Sequence, residues 1–120
     1  MRADPQMGSW LSSIGAEDKV VICAIARGEI LFGIARLAAG RRRTHLEDKA
    51  RNVFAVLPCE PIPPTAGDHY ANTKISQQRR GLALDENDLW MAATAMALGA
   101  TLVSRDRDFL SIEKLAVVHP

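Results

Sequence analysis

The chain has 120 residues, 48% hydrophobic and 24% charged, with 15 Lys and Arg against 14 Asp and Glu for a formal net charge of +1. That length builds one domain with a real core, spanning 1–120, and excludes two; the composition excludes a disordered or disulfide-stapled chain. Near-neutral charge excludes a nucleic-acid binder that works by bulk charge alone, although RRR at 41–43 and RR at 79–80 are local basic runs that read either as solvated helix ends or as phosphate contacts.

In chain order, Asp4-Pro5 reads as an N-cap and first helical residue, with Met7, Trp10, Leu11 and Ile14 on one apolar face and Gly15 as the stop. VVICAI, residues 20–25, is a continuous apolar run of strand length, the pattern of a strand buried on both faces in a parallel sheet. Helical spacing of Ile30, Leu31, Ile34, Leu37 and Ala38 predicts a helix over 26–39, stopped by Gly40. A second helix is predicted over 44–56, opened by a capping box from Thr44 to Glu47, so that the two form a hairpin.

LPCEPIPP, residues 57–64, carries four prolines and cannot be a central strand; a short edge strand over 56–59 is the expectation. A polar helix over 65–80 ends at Gly81, and a helix over 86–98 ends at Gly99. TLVS at 101–104 and LAVV at 115–118 are short β-branched strands. Strands alternating with helices predict an α/β fold with a mostly parallel sheet flanked by helices.

Cys23 and Cys59 have neither zinc-ligand nor CxxC spacing and read as reduced, core-facing thiols. No apolar run is long enough to cross a bilayer, and no signal-peptide core is visible. The expectation is a soluble, cytoplasmic protein with no membrane partner.

In an open parallel sheet, function collects beyond the carboxyl ends of the strands. Three acids fall there: Glu29 early in the helix after VVICAI, Asp88 in the first turn of the helix leading into TLVS, and Asp106 just past TLVS. Asp88, Ala92, Ala95 and Gly99 form a stripe of little bulk that lets this helix pack closely. Carboxylates that converge repel one another unless a cation neutralises them, and oxygen-only ligands suit Mg²⁺ or Mn²⁺. The simpler reading of each acid stays open beside that one. Glu29, Asp85, Glu86 and Asp88 can serve the helix dipole, and Asp106 and Asp108 can pair with Arg105 and Arg107.

VVICAIARGEILFGI at 20–34, NDLWMAATAMALGATLVSRDRDF at 87–109 and the closing LAVVHP together resemble the PIN-domain proteins of VapC type, the ribonuclease toxins of toxin–antitoxin pairs. The resemblance covers nearly the whole chain. It implies a PIN-like three-layer α/β fold and hydrolysis of RNA phosphodiester bonds. It also implies a Mg²⁺ or Mn²⁺ ion held by Glu29, Asp88 and Asp106, which would be both the metal ligands and the catalytic residues. Ser104 matches a Ser or Thr that sits beside the family's site, and Asp85 and Asp108 are spare acids nearby. The partners implied are an RNA substrate, a VapB-type antitoxin and a second copy of the chain in a homodimer.

One departure stands out. The family opens with an apolar strand, central in its sheet and ending in an Asp that is a principal metal ligand; this chain begins MRADP with neither. The expectation is a domain truncated at its N-terminus, with Met1 an internal methionine of a longer chain. As it stands the chain would be a weak or inactive nuclease; the alternative is a non-catalytic module that only binds an antitoxin or RNA. A receiver-like phosphoacceptor is disfavoured, because the chain lacks both the lone aspartate ending a middle strand and the later strand-end lysine.

Overall fold

The structure is a computed structural model that describes residues 22–104 and 106–118. The helix expected over the first fifteen residues, and Val20 and Val21 of the expected first strand, lie outside the described residues. The chain divides into two compact units, Met1–Glu60 and Pro61–Pro120.

In the first unit, helix α1 spans Ala24–Ala35 and helix α2 spans Arg41–Val56. Ala24 and Ile25, expected at the end of a strand, are already helical; an apolar run alone does not separate a buried strand from a helix start. The α1/α2 hairpin is held by Ile34, Leu46 and Ala50, all buried, with Ile30, Leu37 and Phe54 packed around them. The Arg27 guanidinium lies over the Phe54 ring at 4.5 Å, a second tie between the helices.

Two boundaries differ from expectation. Helix α1 closes at Arg36, and Gly40, expected to stop it, is instead the N-cap of α2. Thr44 therefore lies inside α2, its N–H donating to the Gly40 carbonyl at 3.1 Å, and the expected capping box at Thr44 and Glu47 does not form. Glu47 faces Arg43 at 3.8 Å, and Arg43 also donates to the Leu37 carbonyl. Beyond α2 the described residues of the proline-rich stretch form no regular strand, although the Ile22 N–H donates to the Pro58 carbonyl at 3.0 Å, a strand-like contact where an edge was expected. Cys23 is half-buried, but Cys59 is exposed rather than core-facing, as its place in this irregular stretch dictates.

In the second unit, helix α3 spans Thr65–Arg79 and helix α4 spans Glu86–Leu98. Both end as the sequence predicts. Gly81 and Gly99 have φ of 69° and 62°, a left-handed conformation that costs glycine nothing and an L-residue about 1–2 kcal/mol. At each end the two bonds of a Schellman closure are made. Leu82 and Gly81 donate to the carbonyls of Gln77 and Gln78, and Ala100 and Gly99 to those of Ala95 and Met96.

Past Gly99 the chain enters β1, Leu102–Val103, then a 3₁₀ turn, Arg107–Ser111, then β2, Val117–Val118. The strands pair in parallel with Leu102 opposite Val117 and Val103 opposite Val118. Ala92 and Ala95 of α4 pack on Phe109, Ile112 and Leu115, with Leu84, Met91, Met96, Leu102 and Val117 around them. Of the small-residue stripe of α4, Ala92 and Ala95 are buried in this core, whereas Gly99 at its end is exposed and a methyl group there meets nothing within 4 Å. Among the described residues no helix is long and apolar enough to cross a membrane.

Candidate functional site

Of the three candidate acids, Glu29 belongs to the first unit and Asp88 and Asp106 to the second. Because α1 begins at Ala24, Glu29 sits in its second turn, exposed, where the favourable effect of an N-terminal dipole has largely decayed. It lines a groove of about 270 Å³ with Ile30, Gly33, Ile34, Leu37, Arg42 and Leu46. The lining is mostly apolar, with one carboxylate and one guanidinium among it.

Asp88 is half-buried in the first turn of α4. The start of that turn is fixed from α3. Tyr70 Oη donates to Glu86 Oε2, and Lys74 Nζ donates to Glu86 Oε1 at 2.6 Å and to Tyr70 Oη at 3.0 Å. The Tyr70 ring also stacks on the Trp90 indole, four residues further along α4. The hydrogen bond to Glu86, reinforced by that to Tyr70, holds the Lys74 ammonium well above its ordinary range. The same bonds, Lys74 first and Tyr70 second, hold the Glu86 carboxyl below its own.

Asp106 lies three residues past the end of β1 and is the N-cap of the 3₁₀ turn. Its Oδ1 accepts the Asp108 N–H at 2.9 Å, and its own N–H donates to Ser104 Oγ at 3.0 Å. The far end of the turn is tied to α3. Arg80 Nη1 donates to the Ser111 carbonyl at 2.6 Å, while the Ser111 hydroxyl, with one hydrogen to give, donates to the Asp108 carbonyl at 2.7 Å and lies 3.3 Å from Gln77 Oε1. Gln77 is 3% exposed, a buried polar side chain that keeps a polar partner in the half-buried Ser111. Arg80, one half of the second basic run, is thus engaged within the fold. Neither Tyr70, Lys74 nor Gln77 was singled out by the sequence, because their partners lie 12 to 34 residues away.

The donors Asp88 and Asp106 are carboxylate oxygens, the chemistry a hard divalent cation takes. Among the described residues no group of three or more His, Cys, Asp or Glu side chains is gathered as a metal holder. A Mg²⁺ ion commonly takes only one or two protein carboxylates and keeps several waters, so the donor set fits in kind.

The PIN domain family model matches residues 3–115. The chain belongs to the PIN domain family. This PIN domain is similar to a VapC ribonuclease of Sinorhizobium fredii, 27% identical over 126 residues that cover 99% of this chain and 88% of the relative. It is also similar to the toxin FitB of Neisseria gonorrhoeae, 29% identical over 119 residues covering 93% of this chain and 82% of that one. Among solved structures, VapBC2 from Rickettsia felis, bound to a DNA fragment from its promoter, matches with a TM-score of 0.82 at 20% identity, over 96% of this chain and 85% of the other. FitAcB from Neisseria gonorrhoeae matches with a TM-score of 0.77 at 24% identity, over 97% and 85%. These likenesses agree with the α/β fold expected from the alternation of elements.

Proposed function

We propose that this PIN domain is a divalent-metal-dependent endoribonuclease, the toxin of a toxin–antitoxin pair, with Glu29, Asp88 and Asp106 as its metal ligands. The observation that carries the reading is the similarity to a named VapC ribonuclease along 99% of the chain. It is supported by Asp88 in the first turn of α4 and Asp106 three residues past β1, on either side of the Gly99 turn. Mg²⁺ or Mn²⁺, when bound, would activate water and offset the negative charge that builds on the phosphodiester. The protein's own part is to hold those carboxylate oxygens in place and to hold the RNA. Arg41 and Arg42, both exposed, and Arg79 are the basic side chains proposed to contact the RNA backbone.

The partners proposed are an RNA substrate, a VapB-type antitoxin and a second copy of the chain, in the cytoplasm. The test is RNA cleavage by the purified chain with Mg²⁺ or Mn²⁺, against Asp88→Asn and Asp106→Asn. Metal-dependent cleavage lost in both variants supports the reading. No cleavage by the wild-type chain with either metal overturns it in favour of a PIN-fold module that only binds.

A further inference from the structure

Helix α3 carries no candidate acid, yet four of its residues reach both places where the second unit presents one. Tyr70, Lys74 and Gln77 follow one another at spacings of four and three, the spacing of a single helix face, and Arg80 follows at the helix's end. Tyr70 and Lys74 hold Glu86, and Tyr70 also stacks on Trp90. Glu86 and Trp90 are four apart and share one face of α4. Asp88, midway between them, is displaced by roughly 200° around the helix and so stands on the side away from α3. Fixing Glu86 and Trp90 therefore fixes both the start of α4 and its rotation, which together set the direction of Asp88. One turn further along α3, Gln77 and Arg80 hold Ser111, whose hydroxyl reaches back to the Asp108 carbonyl in the turn that Asp106 caps.

We infer that the Tyr70–Lys74–Gln77 face of α3, with Arg80 at its C-cap, positions both candidate carboxylates of the second unit, Asp88 through Glu86 and Trp90, and Asp106 through Ser111. These are positioning residues and not ligands; the inference rests on the reading of Asp88 and Asp106 as metal ligands. Outer groups that orient a ligand commonly alter metal affinity or activity by about 10- to 100-fold when removed.

Two mild substitutions test the two arms separately in the full chain. Tyr70→Phe keeps the ring on Trp90 and removes the hydroxyl from Glu86. Arg80→Met keeps the aliphatic stem of an exposed side chain and removes its bond to the Ser111 carbonyl. Three quantities are read for each: Mn²⁺ affinity by calorimetry, RNA cleavage, and amide hydrogen exchange resolved by peptide. The expected result is a Mn²⁺ Kd raised roughly 10-fold in either variant. Exchange should quicken in 86–91 for Tyr70→Phe and in 106–111 for Arg80→Met, each leaving the other segment at its wild-type rate. Arg80→Lys, which retains a donor, should recover part of the affinity.

Wild-type Mn²⁺ affinity in both variants, or faster exchange spread evenly over the unit, overturns the inference while leaving the nuclease reading intact. A wild-type chain that neither binds Mn²⁺ nor cleaves RNA overturns the nuclease reading, and the positioning of the two segments is then decided by the exchange rates alone.

Discussion

The Tyr70 ring lies parallel to the Trp90 indole, their centroids 4.1 Å apart and their planes within 10°, and this stack joins α3 to the first turns of α4. An offset aromatic pair contributes about 0.5–1.5 kcal/mol beyond the area it buries. A double-mutant cycle with Tyr70→Leu and Trp90→Leu should therefore give a coupling near 1 kcal/mol by denaturant unfolding. The hydroxyl bond to Glu86 is lost whether or not Trp90 is present and so cancels in the cycle. A coupling indistinguishable from zero would mean that the rings meet without mutual stabilisation.

Glycines in this chain carry opposite signs. Gly28 lies within α1 and a methyl group there meets nothing within 4 Å, so Gly28→Ala should stabilise by about 0.5–1 kcal/mol through the unfolded chain's lost freedom. A methyl at Gly99 also meets nothing within 4 Å, but φ is 62°, so Gly99→Ala should destabilise by about 1–2 kcal/mol through the backbone alone. Thermal melts of the two variants check both signs at once.

The Lys74–Glu86 bridge gives a pH dependence with a fixed direction. The Glu86 carboxyl is held below its ordinary value of 4.5, so its contribution is complete above that pH and is lost as pH falls through the folded-state value. Lys74 is held above its ordinary value of 10.5, so its contribution is complete below that pH and is lost only on strong alkalinisation. Both groups are exposed, and salt screens such a pair. In Lys74→Met the melting temperature should fall less steeply than wild type between pH 5 and pH 3, the two curves converging at the acid end. Equal slopes would remove the bridge from the stability of the fold.

What the sequence made legible follows the range of the interactions involved. The ends of α3 and α4 were readable because Gly81 and Gly99 close their helices through bonds to carbonyls only three to five residues back. Gly40 misled because glycine serves a helix start as well as a helix end, and only the pairing of Thr44 with the Gly40 carbonyl decides between them. VVICAI misled at its end because Ala24 and Ile25 suit a buried helix as well as a strand. At the candidate site, Asp88 and Asp106 were picked out by their place relative to helix and strand. The α3 residues that hold their surroundings were not, since a tyrosine, a lysine and a glutamine in a polar helix carry no local sign of partners on another element.

Asp106 has a structural duty as well as a proposed chemical one, and two substitutions separate them. Its Oδ1 accepts the Asp108 N–H and caps the 3₁₀ turn. Asparagine keeps that oxygen and caps as well as aspartate does, whereas alanine loses the cap at a cost of about 0.5–2 kcal/mol. Asp106→Asn should therefore melt near the wild-type temperature while losing metal-dependent RNA cleavage by on the order of 100-fold or more, several kcal/mol of charge stabilisation being at stake. Asp106→Ala should lose both cleavage and stability. Asp108→Asn, by contrast, leaves the backbone N–H that Asp106 accepts and should keep both. If Asp106→Asn cleaves RNA as well as wild type, the residue is a cap and nothing more, and Asp88 is left as the second unit's one proposed ligand.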